Sequence, residues 1–370
     1  MKKIIAFIFI ISALSFFVPF VSAQETELPG AQNFRAKVLE VANETEKVRE
    51  DGSLFVQQDL RLLALDGPWA GQEIDYYGIS EVEVVDVKQY QAGDRVFVDG
   101  FLDESGKATF YVIDYVRSRA IYWLAAIFAA VVIAVGRFKG FKALLSLGVS
   151  FLVIVKLILP QILAGRDPFL VSLLGGLIIL TVIIYLTEGW NRKSHLAIVS
   201  VFFSLIATLV LAVLFSQFAR LSGMSQEEAM FLINQGQAAI NFQGLLLAAF
   251  IIGAIGVLDD IIIGQIEAVE QIREANPSLS SRRAFVLAYK VGNAHLGAII
   301  NTLFLTYAGA ALPLLLLAVL NQESGVTFAR FINTEAVSTE IVRTLVGSIG
   351  VILAMPIATA LAAFGGRRGK

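Results

Sequence analysis

The fold of this chain follows from residues 245–263, which read LLLAAFIIGAIGVLDDIII. An uncharged run is followed by Asp259 and Asp260, and three isoleucines continue the apolar pattern. About 20 apolar residues in a helix cross the hydrocarbon of a bilayer, so this stretch predicts a membrane span that contains two acids. A charge in hydrocarbon costs roughly 3 kcal/mol on insertion scales, and intramembrane acids are therefore candidate functional sites.

A second interpretation of the two acids stays open. About 17 apolar residues are enough to cross a bilayer. Asp259 and Asp260 would then lie at the inner membrane interface and mark the end of the helix. The depth of the acids separates the two interpretations.

The composition of the chain is that of a polytopic membrane protein. Of its 370 residues, 56% are hydrophobic and only 16% are charged. The absence of cysteine excludes disulfides, thiolate nucleophiles and cysteine-ligated zinc. The only imidazoles for metal or proton chemistry belong to His195 and His295. We expect no resident cofactor and no resident metal ion.

The first 23 residues have the pattern of a secretory signal peptide. Lys2 and Lys3 precede a short apolar segment, and Val21-Ser22-Ala23 supplies small residues at a cleavage position. An uncleaved anchor is the alternative. Both interpretations predict that the residues that follow lie outside the cell.

Residues 31–118 alternate polar and apolar positions between turn residues, which is typical of short strands. Phe34, Ala36 and Val38 share one face of the first strand. Further strands are predicted from Leu54 to the Asp66-Gly67-Pro68 turn, and over residues 81–87, 95–102 and 108–116. Five or six strands in this length predict a small closed barrel of the OB type, outside the membrane.

The charge of this predicted barrel argues against nucleic acid as a partner. Residues 31–118 contain 17 acidic residues and nine basic ones. Binding to a phosphate backbone depends on basic residues, so we expect no nucleic acid to bind. An extracytoplasmic interaction module is the better interpretation.

The remaining residues, 119–366, are predicted to form a helical membrane domain. Seven spans are predicted near residues 120–136, 143–163, 168–187, 196–217, 242–263, 294–320 and 342–364. With the barrel outside, the predicted inner connections carry twelve basic residues and the outer ones six, as the positive-inside rule requires. We therefore expect a multi-pass plasma-membrane protein with a cytoplasmic C-terminus.

Three stretches of the membrane half resemble the YibE/F-like family of integral membrane proteins. They are GAIGVLDD at residues 253–260, NTLFLTYAGAALPLLL at residues 301–316 and TEAVSTEIVRTLVGSIG at residues 334–350. The resemblance covers roughly residues 115–365. This chain has Gly292-Asn293-Ala294-His295 where the family tends to show Gly-Arg-Asp-His, so only the histidine is kept. The resemblance implies a membrane permease of uncharacterised function.

The principal candidate residues lie on the two helices that flank one inner connection. Asp259 and Asp260 point about 100° apart on a helix and cannot share one partner. His295 begins the next span at a similar depth, and an imidazole near a carboxylate can exchange protons near neutral pH. Asn301, Thr302 and Thr306 add uncharged polar groups. The alternatives are an interfacial histidine bonded to backbone and polar groups that hold helices together.

Four further residues are weaker candidates. Glu267 continues an acidic stripe from Asp260, which as a simpler alternative is a solvated helix face. Glu335 lies in one of the stretches that resemble the family. Glu340 and Arg343 are three residues apart, which predicts a local surface pair at the outer start of the last span.

Several enzyme classes lack their motifs in this sequence, and we expect no enzyme activity. A GxxxxGK[ST] loop and a nucleophile-elbow sequence are both absent. Adjacent residues of one helix cannot converge on one water, which argues against aspartyl proteolysis. The favoured function is a permease or secondary transporter subunit for an unknown solute, coupled to protons or ions through Asp259 and Asp260.

Two other functions remain alternatives. One is a membrane scaffold or regulatory subunit whose outer domain binds a partner. The other is a carboxylate and histidine metal site at the inner face. The expected partners are the lipid bilayer, an unknown solute or ion, and a second copy of the chain or another membrane protein.

Overall fold

The computed structural model describes residues 31–48, 54–78, 89–102, 108–225, 227–234, 236, 240–323 and 327–365. The predicted signal peptide at residues 1–23 and the predicted strand at residues 81–87 lie outside the described residues. The chain divides into two compact units, one ending at Val131 and the other beginning at Val132.

The first unit contains a curled half-barrel of five antiparallel strands in the order β3-β2-β1-β4-β5. The strands are β1 (Ala31–Val48), β2 (Leu54–Ala64), β3 (Glu73–Tyr76), β4 (Arg95–Leu102) and β5 (Ala108–Tyr115). β4 confirms the strand predicted at residues 95–102, and β1, β2 and β5 confirm their predictions closely. β3 was not predicted, because four residues are too few to establish an alternating pattern.

The curl of the sheet comes from β1. Its first half pairs with β4 and the remainder pairs with β2, and the register shifts after Val38 and again after Val41. Such irregularities bend a strand and increase its twist. As predicted, Phe34, Ala36 and Val38 face one buried core, which the neighbouring strands complete with Leu60, Leu62, Ala64, Ile74, Val96 and Val98.

Helices follow the sheet. They are α1 (Ser118–Leu163), α2 (Pro168–Thr187), α3 (Arg192–Phe218), α4 (Glu227–Asn234), α5 (Phe242–Ala275), α6 (Ser281–Ala310), α7 (Leu312–Glu323), α8 (Phe328–Ile332) and α9 (Glu335–Phe364). Within the described residues, five of them are long and apolar enough to cross a membrane: α1, α2, α3, α5 and α9. These helices are consistent with a membrane protein.

Seven separate spans are not confirmed. The predicted span at residues 294–320 is divided between α6 and α7, which separate at Ala311. Pro313 is the second residue of α7, and proline is favoured in the first turn of a helix because it lacks an N–H to donate. Neither helix alone is both long and apolar enough to cross a membrane.

The first two predicted spans fall within α1, which is interrupted at Arg137. The backbone of Arg137 has φ 49° and ψ −128°, which is not helical. A Cβ atom added to Gly140 would overlap the carbonyl oxygen of Val132. Residues eight apart in a continuous helix are separated by about 12 Å along the axis. The chain therefore turns back at Arg137, between the predicted spans.

Contacts between helix termini define one end of the helical bundle, called here the first end. Asn241 caps α5 and its Nδ2 donates to Asp167 Oδ2 at 3.4 Å, and Asp167 in turn caps α2. The Gly223 amide, just after α3, donates to Glu335 Oε1 at 3.0 Å. The starts of α2, α5 and α9 thus belong to the same end of the bundle as the finish of α3.

The second end of the bundle is defined in the same way. Arg192 at the start of α3 donates to the Gly365 carbonyl, just after α9, at 2.9 Å. Its neighbour Lys193 forms an ion pair with Glu267 of α5 at 2.7 Å. α3 is therefore antiparallel to α9, and α2 runs parallel to α5.

Small side chains allow α3 and α9 to pack closely along their length. The buried face of α3 includes Ser200, Ser204, Thr208 and Ala212. On α9, Gly350 lies so close to Thr208 that a Cβ atom would overlap its hydroxyl oxygen. Close backbone approach between small residues is a common way to pack helices in lipid.

Candidate functional site

Asp259 and Asp260 lie near the second end of the bundle. Asp259 is 18 residues beyond the α5 cap at Asn241, which places it about 27 Å along the helix axis. The hydrocarbon of a bilayer is about 30 Å thick. Along α5, Asp259 is therefore closer to Glu267, eight residues further on at the second end, than to the cap at the first end.

The two carboxylates have different surroundings, as their angular separation on the helix requires. Asp259 is half-buried, and its Oδ1 atom is fully buried without a hydrogen-bond partner among the described residues. Asp260 is more exposed and lines a cavity of about 660 Å³. Only Asp260 is therefore accessible to a solute that enters this cavity.

The cavity lies between α5 and α6, and Met355 of α9 closes one side. Its polar lining is Asp260, Gln265, His295, Thr302 and Thr306. Four of the six principal candidates predicted from the sequence, Asp260, His295, Thr302 and Thr306, are thus brought together. Asp259 and Asn301 do not line it.

A glycine on α6 allows that helix to approach its neighbours beside the cavity. A Cβ atom on Gly292 would overlap Gln265 Nε2 and would lie 2.7 Å from Met355 Sδ. Gln265 is buried, and the Thr359 hydroxyl on α9 lies 2.8 Å from its Oε1 atom. Gln265, Gly292, Met355 and Thr359 therefore form a junction of three helices.

Sequence reasoning missed these four junction residues. Their positions in the sequence could have pointed to two of them. Gln265 is the first uncharged polar side chain after Asp260 on α5, and Gly292 precedes His295 by almost one turn of α6. Neither residue type is unusual in a helix, so only the packing identifies them.

The threonine hydroxyls bond within their own helix. Thr302 Oγ1 donates to the Ala298 carbonyl at 2.9 Å, and Thr306 Oγ1 donates to the Thr302 carbonyl at 2.8 Å. In these two hydrogen bonds the threonines donate within α6 and not to a neighbouring helix. Their hydroxyl hydrogens are occupied, and their oxygen lone pairs remain as acceptors on the cavity wall.

The acidic stripe beyond Asp260 is paired rather than simply solvated. Lys193 Nζ on α3 lies 2.7 Å from Glu267 Oε2 and 2.8 Å from Glu270 Oε2. One cation thus bridges two successive acids of α5. Glu267 acts in packing α3 against α5, away from the cavity.

The three remaining weaker candidates, which all lie on α9, have structural contacts. Glu335 accepts from the Gly223 amide and, at 2.8 Å, from the Ser222 hydroxyl, which ties the start of α9 to the segment after α3. Glu340 and Arg343 form the expected ion pair at 2.8 Å. Their side chains are 21% and 19% exposed, so the pair is less exposed than the predicted surface location implies.

The burial of Arg343 has a visible cause. Its guanidinium lies over the ring of Phe250 on α5, 5.5 Å from the centroid, in a cation–π contact. The Arg343 Nε atom is buried without a hydrogen-bond partner among the described residues. This ion pair is about five to eight residues beyond Glu335, on the side of the bundle away from Asp260.

The described residues contain no group of three or more histidine, aspartate or glutamate side chains that could hold a metal ion. The other histidine, His195, is engaged elsewhere. Its Nδ1 lies 2.7 Å from the Tyr185 hydroxyl, and Trp190 stacks on Tyr185 at 4.2 Å. The carboxylate and histidine metal site at the inner face, which the sequence offered as an alternative, stays a prediction.

Comparison with known proteins identifies one family. A sequence model of the YibE/F-like protein family matches residues 124–368 of this chain. The match begins in α1 and includes every residue of the cavity lining. No curated protein and no solved structure matches the chain.

Proposed function

Because this chain belongs to the YibE/F-like protein family, we propose that it is a membrane permease or a secondary transporter subunit. It carries a solute across the plasma membrane, coupled to protons or ions through Asp259 and Asp260. The observation that carries this proposal is the shared cavity of Asp260 and His295. A carboxylate and an imidazole on one cavity can bind and release a proton beside a solute.

The two acids have separate roles in this proposal. Asp260 contacts what enters the cavity, and Asp259 occupies the adjacent, half-buried position on the same helix. Helix α6 supplies His295 across the cavity, so movement of α6 relative to α5 changes the surroundings of Asp260. Such relative movement of helices around a fixed site is the usual basis of alternating access.

The proposal is tested by solute uptake into proteoliposomes under an imposed pH gradient. Wild type is screened against a mixed solute library, and Asp260→Asn, His295→Gln and the Asp259→Asn, Asp260→Asn double variant are then compared with it. We expect at least a tenfold loss of uptake in each variant. Glu274→Gln, an exposed acid of α5 outside the cavity, is the matched control. Full uptake by a correctly inserted double variant refutes the coupling role.

We also propose a multi-pass topology with the first unit outside and the C-terminus in the cytoplasm. The contacts at the two ends of the bundle support it, because α2, α5 and α9 run from the first end to the second and α3 runs back. The second end carries Lys142, Arg192, Lys193 and Arg273, which favours the cytoplasmic side. A cleaved signal peptide at residues 1–23 belongs to the same proposal.

For the first unit we propose an OB-like barrel. Its strand order β3-β2-β1-β4-β5 supports this, since β1 pairs with both β2 and β4 as in a five-stranded Greek-key barrel.

The separate core of this sheet also favours the second candidate function, a scaffold whose outer domain binds a partner. Capture of a specific membrane complex by the sheet unit, with transport unaffected in the Asp260→Asn variant, would support the scaffold instead.

A further inference from the structure

The charge of the cavity lining indicates which solutes it accepts. Asp260 is its one carboxylate, and no lysine or arginine is among the lining residues that the structure describes. An anionic solute would bring a second negative charge beside Asp260 without a compensating side chain from lysine or arginine, which is unfavourable because like charges repel. A cationic solute would pair with Asp260.

The hydrogen-bonding groups of the cavity point the same way. Thr302 and Thr306 have donated their hydroxyl hydrogens to carbonyls of α6. Their oxygens therefore face the cavity as acceptors, like the carboxylate of Asp260. Gln265 contributes a donor, but its Nε2 atom is packed against Gly292. His295 adds one ring nitrogen that donates and one that accepts. Acceptors therefore outnumber free donors in the lining, which suits a solute that donates hydrogen bonds.

The size and the remaining lining exclude a bare ion as the best fit. A volume of about 660 Å³ falls in the range of pockets that hold small organic molecules. Much of the wall is hydrocarbon, supplied by Val257, Ile261, Leu296, Ile299 and Leu303. A metal ion needs several oxygen or nitrogen ligands, and the described residues hold no group of three acidic or histidine side chains.

We propose that this cavity binds a small organic cation. Its charged group pairs with Asp260, its donor group contacts the oxygens of Thr302 and Thr306, and its hydrocarbon part packs on the apolar residues of α5 and α6. This inference rests on the proposed transport function, for which it names the class of substrate.

Three probes of nearly the same shape and different charge test the proposal. Choline is a permanent cation, 3,3-dimethylbutanol is its neutral isostere and 3,3-dimethylbutyrate is an anion of similar size. Binding of each to the full chain in detergent is measured by titration calorimetry. We expect choline to bind at least tenfold more tightly than either of the others. The proposal is overturned if choline and its neutral isostere bind equally tightly, if the anion binds more tightly than choline, or if choline does not bind.

Variants separate the cavity from non-specific binding. Asp260→Asn is expected to weaken choline binding at least tenfold, whereas Glu274→Gln leaves it unchanged. If Asp260→Asn does not fold, Ile299→Trp keeps the charge and fills the cavity, and it must abolish binding. Choline binding that survives in whichever of these variants folds overturns the proposal.

Choline counterflow in proteoliposomes then distinguishes the two proposals. Choline cannot cross lipid as a neutral base, so its exchange reports the protein. If choline binds at Asp260 but is not exchanged, the assignment of the cavity to organic cations stands and the proposed transport function is refuted. Exchange of 3,3-dimethylbutyrate that depends on Asp260, without exchange of choline, refutes the substrate class and keeps transport.

Discussion

Gly292 controls how closely α6 approaches α5 and α9. Gly292→Ala introduces a Cβ atom that overlaps Gln265 Nε2 and contacts Met355 Sδ at 2.7 Å. Both atoms lie toward the far ends of flexible side chains that can move aside, so we expect a cost at the lower end of the roughly 1–3 kcal/mol found for overpacked interiors. We therefore expect a lower thermal midpoint in detergent.

The same helix supplies the control for this substitution. An added Cβ at Gly297 has no neighbour within 4 Å, so Gly297→Ala gains helix propensity without a clash. Its midpoint is expected to stay the same or rise. Equal midpoints for the two alanine variants would contradict the close packing of α6 at Gly292.

In the first unit, Asp66 couples the stability of the sheet to pH. The Arg35 amide and its Nε each donate to this carboxylate at 2.6 Å. These contacts hold the pKa of Asp66 below its ordinary value, with the backbone hydrogen bond as the largest cause. The folded state therefore favours the ionised form. The contribution of Asp66 to stability is complete above its pKa in the unfolded chain, and it is lost as the pH falls through its pKa in the folded protein.

Asp66→Asn tests this linkage. We expect the variant to be less stable than wild type at pH 7, by less than about 1 kcal/mol because the site is solvent-screened. The difference should shrink as the pH is lowered below about 4. Urea unfolding is followed by Trp69, which packs on Phe34 at 5.2 Å in the core of the sheet, with Trp123 and Trp190 replaced by phenylalanine. A difference that grows on acidification has the wrong sign for this mechanism.

Residue type alone was enough to find part of the candidate site. Asp260 and His295 are rare in apolar sequence, and Thr302 and Thr306 follow His295 at helical spacing. Gln265 and Thr359 are 94 positions apart in sequence. Their contact depends on the crossing of α5 and α9, which no local pattern contains.

At the scale of helices, Lys193 links α3 to α5 through Glu267 and Glu270. Lys193→Ala leaves two neighbouring acids without their shared cation, and we expect it to lower stability by about 1 kcal/mol, since all three side chains are partly exposed. In a protein that already carries Glu267→Gln and Glu270→Gln, Lys193→Ala should lose most of this effect. The coupling energy between Lys193 and the two acids is obtained from the thermal midpoints in detergent of wild type, Lys193→Ala, the Glu267→Gln, Glu270→Gln double variant and the triple variant.

Salt and a second lysine provide controls for that cycle. Screening at high ionic strength should reduce the coupling energy. Lys290→Ala changes an exposed lysine of α6 that has no ion pair among the described residues, and its effect should be small. An additive cycle would mean that Lys193 acts through packing of its hydrocarbon stem instead.

Helix boundaries were predictable where the sequence changes character sharply. The predicted span at residues 168–187 agrees with α2 because Asp167 and Pro168 form a strong start signal. Residues 294–320 were interpreted as one span because they are apolar almost throughout, yet Pro313 begins a new helix there. Hydropathy measures the length of an apolar segment and does not detect a bend within it.

At the scale of the whole molecule, the bundle is long enough to connect two sides of a membrane. From Glu335 to Phe364 there are 30 residues, or about 45 Å of helix, which matches the thickness of a bilayer with its headgroups. The antiparallel pairing of α3 and α9 extends over this distance, because contacts tie both ends. The sequence predicted these directions from the alternation of spans, but the contacts themselves required the structure.

The orientation of the bundle can be tested with single cysteines, because the chain has none of its own. Met224→Cys and Asn333→Cys lie at the first end, next to the contact of Gly223 with Glu335. Ser278→Cys lies beyond α5 at the second end, near the contact of Arg273 with Ser281. All three positions are exposed. A membrane-impermeant maleimide should label the first two in intact cells and Ser278→Cys only after the membrane is opened.

The pattern of labelling separates orientation from architecture. Labelling of Ser278→Cys alone in intact cells would reverse the orientation but keep a spanning bundle, and Asp260 would then lie near the outer face. Labelling of both ends from the same side would contradict a bundle that crosses the membrane. In that case the reason for treating Asp260 and His295 as part of a transport path would be lost, because the cavity would not lie between two aqueous compartments.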